Sequence, residues 1–367
     1  MGPFIVRRLL QAIPVVFLIT VVSFLLMEQA PGGPAAQFNG VPRITQEQVD
    51  AALERWCLER NPDIIGILRE YGGWLGAWNC ETDSLLSPQG MPNFLPQFMG
   101  GGDNGVVHGD FGFSVKSGQP VLEMIAERVP ATLVLMLTAF TIWVTIAIVL
   151  GVIAAVKRYS LFDNSVTLFS YIFYSLPTFW LGLILIYFFA VQLHWLPSQG
   201  IVDARNAPGA FNTERYWAGF WEDPTTNIID IGRHLILPVV TLVAVSVAAD
   251  SRFVRSSMLD TLSQDFVRTA RAKGLPRRRV VFHHAFRNAM LPILTTMSLQ
   301  IAFLFSGAIV TETVFSWPGM GRLYFEGVTD RDYFLIMGIL LVSSVLVVLM
   351  NIVADVLYAF ADPRIRY

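Results

Sequence analysis

The chain has 367 residues, with 54% hydrophobic residues and only 15% charged residues. A soluble protein of this composition could not cover its surface with polar side chains, so the composition favours lipid as the solvent over a very large assembly. The formal net charge of −2 excludes a global basic field for nucleic acid, and two cysteines without a Cys/His cluster give no metal-site pattern.

Six apolar runs are candidates to cross a bilayer as helices, which takes roughly 20 residues each. They lie at about Leu9–Met27, Ala131–Val156, Ser165–Val191, Leu235–Ala249, Ile293–Val310 and Tyr333–Phe360. The first could instead be a signal peptide, but its length favours an uncleaved span. The third contains Pro177, and the fourth is the shortest. The pattern predicts an all-α integral membrane protein with about six transmembrane helices.

The basic residues lie in the connections that fall on one side of a six-span chain. Nine Lys or Arg residues separate the fourth and fifth spans, and basic pairs precede the first span, follow the second and end the chain. Because Lys and Arg concentrate in cytoplasmic loops, both termini and residues 257–292 are predicted to be cytoplasmic. The chain then divides into residues 1–28 with the first span, an extracytoplasmic insertion at 29–128, and a transmembrane domain at 129–367.

The insertion is too long for a simple loop. Helices are predicted at about Thr45–Leu58 and Ile64–Trp74. Cys57 and Cys80 would lie outside, where disulfides persist, so a disulfide between them is predicted. Closing the loop between these two residues would add about 3 kcal/mol of stability. Two buried free thiols are the alternative.

Residues 257–292 carry the clearest functional pattern. Apolar or small residues recur at steps of three and four: Leu259, Leu262, Phe266, Thr269 and Ala270. This spacing predicts one buried helical face. Gly274 suits a left-handed C-terminal residue, and Pro276 suits the start of a second helix that ends near Met290 before Pro292 opens the fifth span. The predicted hairpin could dock into a groove on a cytoplasmic partner or lie on anionic lipid.

Two segments here, Asp265–Leu275 and Phe286–Pro292, resemble the EAA loop of binding-protein-dependent ABC transporter permeases. The likeness is greatest to the branch that imports dipeptides, oligopeptides and nickel. Arg268-Thr269-Ala270 replace the strict Glu-Ala-Ala, and Gly274 is kept. Four further segments resemble the same branch, at residues 109–121, 128–133, 175–180 and 312–321.

The resemblance implies a permease subunit that forms a translocation pathway with a second, similar permease. Two cytoplasmic ATPase subunits would bind ATP and grip the EAA loops, and an extracytoplasmic binding protein would deliver peptides. The resemblance places coupling to the ATPases in one segment: Asp265, Arg268, Thr269, Ala270, Arg271 and Gly274. It also implies the plasma membrane of a bacterium or archaeon. Nickel or another small solute is the alternative cargo.

The chain itself has no GxxxxGK[ST] loop for ATP phosphates and no HExxH or GxSxG pattern, so no enzymatic activity and no cofactor are expected in it. A secondary transporter would be expected to carry acids at mid-depth in its spans, and those are scarce here. Asp250 near Arg252 indicates a boundary ion pair, and Asp355 an interface pair with Arg364. Glu312 and Glu326 flank an outside turn, either solvated or in contact with the binding protein.

Overall fold

The structure, a computed structural model, describes residues 2–29, 64–75, 106, 109–203, 205, 207, 209, 211–304 and 307–361. The predicted helix at Thr45–Leu58 and the predicted disulfide between Cys57 and Cys80 lie outside these residues. The described residues fall into two compact units: unit 1 is drawn from 1–6, 129–322 and 346–367, and unit 2 from 7–128 and 323–345.

The described secondary structure is helical apart from one isolated bridge between Phe113 and Pro120, which confirms the all-α prediction. The helices run in this order: α1 Gly2–Glu28, α2 Ile64–Leu75, α3 Val121–Val156, α4 Leu161–Ser175, α5 Thr178–Leu185, α6 Glu214–Phe220, α7 Pro224–Leu262, α8 Asp265–Ala272, α9 Arg277–Arg279, α10 Arg287–Phe303, α11 Ile309–Val314, α12 Met320–Asp330 and α13 Tyr333–Ala361. A π-helical turn at Ile186–Gln192 extends α5, and another at Val280–Phe286 joins α9 to α10.

Four helical segments are long and apolar enough to cross a membrane: Val6–Glu28, Val121–Val156, Pro224–Leu262 and Tyr333–Ala354. They correspond to the first, second, fourth and sixth predicted spans. The fourth was expected to be the shortest, yet α7 is 39 residues long. It begins early because the Asp223 side chain caps the amide of Thr226 and Pro224 occupies the first turn.

The third predicted span is not one straight helix, because α4 and α5 meet at a bend of 100°. Leu176 is extended, with φ −82° and ψ 130°, as a residue before proline prefers, and Pro177 has no amide hydrogen to donate. The two helices together are still apolar and long enough to be one broken span.

The boundaries of the fifth predicted span are wrong at both ends. Pro292 lies inside α10, which begins at Arg287 and ends at Phe303, rather than opening a helix. The chain does not continue as the same helix to Val310, because Gly307 has φ +78° and α11 starts afresh at Ile309.

Unit 1 is built around α7, against which α4, α5 and α10 pack. Its buried apolar side chains form two clusters. The first, called here the basic-end cluster, joins the C-terminal halves of α3 and α7 to α8 and the start of α10. The second, the turn-end cluster, joins residues 131–143 of α3 to α7, Leu304 and Trp317.

Gly151 sets the distance between α3 and α7. A Cβ atom at this position would lie 2.6 Å from Val254 Cβ and 2.7 Å from the carbonyl oxygen of Ser251. Any larger residue would therefore push the two helices apart, and the packing of the basic-end cluster depends on this close approach.

In unit 2, α2 packs its aromatic side chains against α1. The Tyr71 hydroxyl lies 2.8 Å from Thr20 Oγ1, and its ring makes edge contacts with Phe17 and Phe24. The helix predicted at Ile64–Trp74 is thus confirmed as α2. In the same unit the buried carboxylate of Asp332 accepts a hydrogen bond of 2.5 Å from Ser114 Oγ, and this contact fixes the 109–121 turn to the start of α13.

A buried ion pair fixes α4 to α7 at the end of unit 1 that carries the basic residues. Arg255 donates from Nε and Nη2 to the two oxygens of Asp163, at 2.5 and 2.8 Å. Asp163 is almost fully buried and also accepts from the amide of Tyr159, while Arg255 keeps about a quarter of its side chain exposed. The pair thereby holds the connection between α3 and α4 in place.

We expect removal of Arg255 and removal of Asp163 to lower the free energy of unfolding by different amounts. Arg255→Leu leaves a buried carboxylate without its cation and should destabilise the protein by about 3–5 kcal/mol. Asp163→Leu leaves an arginine that can turn towards solvent and should cost less. Thermal unfolding of the purified variants in detergent would measure the order, and an equal loss for both would contradict the burial argument.

Candidate functional site

The segment predicted to couple to a partner folds as α8 and the turn that follows it. Val267 and Ala270 are buried in the basic-end cluster, whereas Asp265, Arg268, Thr269, Arg271 and Gly274 are exposed. The structure therefore brings the six predicted residues together but divides them: five face outwards, and Ala270 anchors the helix.

The predicted apolar face of this segment is confirmed for Leu259, Leu262 and Ala270, which pack in the basic-end cluster, and wrong for its other two residues. Phe266 and Thr269 were expected to be buried, but both are exposed, and Val267 is buried in their place. The reason is that α7 ends at Leu262 and Ser263-Gln264 break the helix, so the periodicity of α7 does not continue into α8. Phe266 is therefore an exposed apolar residue, which the spacing across the break did not predict.

Gly274 ends α8 in a Schellman turn, as predicted. Its φ is +75°, and the amide of Gly274 donates to the carbonyl of Arg271 while that of Leu275 donates to Ala270, at 2.9 and 3.4 Å. Leu275 packs against the basic-end cluster. No atom lies within 4 Å of a Cβ built on Gly274, so backbone conformation alone requires glycine here.

The second half of the predicted hairpin is not a separate short helix. After Pro276 the chain is helical from Arg277 to Phe303, through the π-helical turn and into α10. The Arg277 guanidinium donates to the carbonyl oxygen of Val156 at the end of α3, at 3.1 Å. Thus α8 is a short helix joined by a tight turn to the helical stretch of residues 277–303.

The outer face of α8 is positively charged and open to a partner. Arg268 is 3.6 Å from Asp265, but both side chains are largely exposed, so this pair contributes little. Arg271 and Lys273 stand near the C-terminal end of the helix, where the helix dipole favours cations. These exposed cations suit a groove with acidic edges.

A second group of buried polar contacts lies at the turn-end cluster. The Glu312 carboxylate is fully buried and accepts hydrogen bonds from Thr132 Oγ1 at 3.1 Å and from the amides of Ala308 and Arg322 at 3.3 and 3.0 Å. Burial raises the pKa of Glu312, and these hydrogen bonds oppose the rise. The sequence analysis expected Glu312 to be either solvated or in contact with the binding protein. Because its carboxylate is fully buried, both expectations are wrong for Glu312.

Further contacts close the same turn onto α3. Thr132 Oγ1 accepts from the amide of Met320 at 2.7 Å, and the indole of buried Trp317 donates to the carbonyl of Ala131 at 2.8 Å. Both sequence segments resemble parts of the same permease branch, but nothing in their spacing shows that Thr132 and Glu312 meet. The turn at 308–322 is a rigid part of unit 1.

The remaining acids differ in their surroundings. Glu326 lines an open cavity of about 450 Å³ in unit 2, together with Lys116, Asp330 and Asp332. Burial raises the pKa of Asp332, while its hydrogen bond from Ser114 acts in the opposite direction. The interface pair predicted for Asp355 and Arg364 lies outside the described side chains.

The predicted boundary pair of Asp250 with Arg252 is wrong. The Arg252 guanidinium stacks over the rings of Tyr171 and Tyr174, at 5.0 and 4.9 Å from their centres, and donates to the carbonyl of Ala248. Asp250 is buried and accepts a hydrogen bond of 3.1 Å from Gln300 Nε2 on α10. The two side chains lie on different sides of α7.

Comparison with known proteins agrees with this geometry. Residues 147–367 match the family described as binding-protein-dependent transport system inner membrane component. The oligopeptide transport system permease protein AppB of Bacillus subtilis is 38% identical over the full length of both chains. The di/tripeptide transport system permease protein DppB of Pseudomonas aeruginosa is 37% identical over 99% of this chain and 98% of its own.

A dipeptide transport system permease protein DppB of Escherichia coli is 35% identical over 99% of this chain and 98% of its own. In a solved structure of inward-facing MetNI methionine ABC transporter, one chain shares 15% identity with a TM-score of 0.47, covering 66% of this chain and 97% of that one. This likeness is too weak to support any conclusion.

The helical bundle and its apolar spans define a multi-pass membrane protein. The chain belongs to the family of binding-protein-dependent transport system inner membrane components. Members of this family are transport subunits rather than enzymes, so the chain is a membrane component of an ABC transporter complex.

Replacing Glu312 tests whether its carboxylate holds the turn at 308–322. In Glu312→Gln, an amide NH₂ would face backbone N–H groups, and a buried donor left unsatisfied costs about 1–3 kcal/mol. We expect a lower unfolding temperature and faster proteolysis within the turn. Glu222→Gln, at an exposed position, is the matched control, and equal stability of the two variants would show that the buried carboxylate is dispensable.

Proposed function

We propose that this chain is the permease subunit of an ATP-driven importer that takes up peptides. With a second, similar permease it forms the translocation pathway, while a binding protein delivers the peptide on the extracytoplasmic side. Two cytoplasmic ATPase subunits supply the work, and one of them docks on α8. ATP is bound by those subunits and not by this chain.

The observation that carries this proposal is the exposed face of α8. A short helix whose buried side is anchored by Val267 and Ala270 can transmit force, because it cannot shift without disturbing the basic-end cluster. Its outer side presents Arg268, Thr269 and Arg271, with the half-exposed ring of Phe266 at the edge of the buried face, which suits a groove on a soluble partner better than a purely lipid-facing surface. Through the Schellman turn at Gly274, a force on α8 would act on the helical stretch that ends in α10.

The orientation of the chain follows from its charges. The basic end of unit 1 contains Lys157, Arg158 and the cations of α8 and α9, and Lys and Arg favour the cytoplasmic side. Both termini are then cytoplasmic in the plasma membrane of a bacterium or archaeon, and anionic lipid surrounds the basic end. The turn at 308–322 and the insertion at 29–128 then face the binding protein.

Peptides are the proposed cargo because the full-length relatives are named as oligopeptide, di/tripeptide and dipeptide permeases. The spans of α3 and α10 are almost free of charge, which suits solutes that share polar backbone groups and differ in their side chains. The binding protein would make the finer choice among peptides.

Gly274→Val should separate ATP hydrolysis from transport. A β-branched residue at φ +75° is disfavoured by about 1–2 kcal/mol, while the open space around Gly274 allows the protein to fold and insert. In the reconstituted complex we expect ATP hydrolysis to persist and peptide uptake to fall. Gly274→Asn, which tolerates a left-handed conformation, should retain uptake. Normal uptake by the valine variant would rule out a coupling role for this turn.

The cargo itself can be tested by uptake in proteoliposomes that contain the whole complex and its binding protein. Labelled trialanine should accumulate only when ATP is supplied on the side of the membrane that carries the ATPase subunits. Labelled nickel should not accumulate under the same conditions. If nickel accumulates with ATP and trialanine does not, the proposed peptide cargo is wrong. If trialanine accumulates with an ion gradient and without ATP, the proposed ATP-driven mechanism is wrong.

A further inference from the structure

Three polar side chains meet inside the bundle of unit 1, where their neighbours are otherwise apolar. Asp250 comes from α7, Gln300 from α10 and Trp143 from α3. The carboxamide of Gln300 donates to Asp250 Oδ1 at 3.1 Å. The indole N–H of Trp143 lies near the same carboxylate without completing a hydrogen bond.

Each of the three side chains has a buried polar atom that no described group satisfies: Asp250 Oδ2, Gln300 Oε1 and Trp143 Nε1. Asp250 is 8% exposed and Trp143 is 7% exposed. Buried polar atoms without partners are rare and costly, and they cluster where a protein binds something. Two of the three atoms are acceptors and belong to neighbouring side chains.

The cluster lies deep in the bundle. Gln300 is roughly 20 Å along α10 from Arg287, and Trp143 is roughly 20 Å along α3 from Val156, at 1.5 Å per residue. Both helix ends carry basic residues that mark the membrane boundary. On its own helix α7, Asp250 is roughly 7.5 Å from Arg255 at the basic end, so it lies within the hydrocarbon core on the side nearer that end.

The charge of Asp250 lacks a compensating cation within the described part of the chain. Arg252 stacks on Tyr171 and Tyr174, and Arg255 is engaged by Asp163. No described Lys, Arg or His forms an ion pair with Asp250. A carboxyl group in a membrane interior is expensive unless it has a function, and such groups commonly bind the transported species.

We propose that Asp250 and Gln300 form a binding site for a primary ammonium group of the transported solute, such as the amino terminus of a peptide. An ammonium group carries three donors and one positive charge. It would satisfy Asp250 Oδ2 and Gln300 Oε1 together and neutralise the carboxylate, which a water molecule would not do. This inference rests on the proposed function, because it names the part of a peptide that the permease itself recognises.

Access to the site is through Gln300. Its side chain is only partly buried, whereas Asp250 and Trp143 are buried. Because Gln300 lies on α10, whose start is joined to α8 by the Gly274 turn, motion of α8 that repacks the basic-end cluster would change the distance between Gln300 and Asp250. The ammonium site would thereby be made and broken once in each transport cycle.

The first test measures binding at Asp250 directly in membranes that contain the whole complex. Dicyclohexylcarbodiimide reacts with carboxyl groups inside membranes, and mass spectrometry reports the fraction of Asp250 modified. Added trialanine should protect Asp250, and N-acetyl-trialanine, which lacks the ammonium group, should not. The proposed site would be overturned if the two peptides protect Asp250 equally. It would also be overturned if the fraction of Asp250 modified is the same with trialanine as in peptide-free membranes.

The second test measures import by proteoliposomes with saturating binding protein. Asp250→Asn preserves shape and the hydrogen bond from Gln300 but removes the charge. It should lower import of trialanine by about tenfold, equivalent to 1.4 kcal/mol, and leave import of N-acetyl-trialanine unchanged. Glu214→Gln, an exposed carboxyl-to-amide change, should alter neither.

The outcomes separate this inference from the proposed function. If the wild-type complex imports trialanine and Asp250→Asn lowers both peptides equally or neither, the ammonium site is wrong while the peptide importer stands. If the wild-type complex imports neither peptide, the peptide importer is wrong, and the carbodiimide measurement still decides whether Asp250 binds ammonium. An unfolding temperature of Asp250→Asn equal to that of wild type excludes misfolding as the cause of a loss.

Discussion

The close approach of α3 and α7 at Gly151 is the contact on which unit 1 depends. It brings Val254 against the backbone of α3, and this spacing gives the basic-end cluster its form. The ion pair of Asp163 and Arg255 and the hydrogen bond from Arg277 to Val156 then fasten the neighbouring segments to the same two helices. A short helix anchored on these packed helices moves with them, and that property underlies the coupling role proposed for α8.

The sequence predicted those features that depend on local chemistry. Long apolar runs located the spans because lipid tolerates little else, and Gly274 with Pro276 located the turn because few residues accept its backbone conformation. The helix at α2 followed from the same kind of signal, whereas the residues proposed for coupling came from the family resemblance. Family resemblance supplied the transport class, which comparison with relatives confirmed.

What the sequence could not predict depends on contacts between distant segments. The break at Ser263-Gln264 changes which side of α8 is buried, and its effect on Phe266 and Val267 emerges only when α8 packs on the helix that follows Pro276. Glu312 looks like a loop acid until the amides and the hydroxyl of Thr132 surround it. Asp250 stands two residues from Arg252, yet α7 turns them towards different neighbours, a ring pair and a carboxamide.

The continuous helical path from Arg277 to Phe303 has a geometric consequence. From the Gly274 turn to Gln300 it spans roughly 36 Å at 1.5 Å per residue, so a swing of about 10° at its lower end displaces Gln300 by about 6 Å. That displacement is about twice the 3.1 Å separation of Gln300 and Asp250. Under the coupling proposed for α8, leverage of this size would let a small rotation of a docked partner separate the amide of Gln300 from the carboxylate of Asp250.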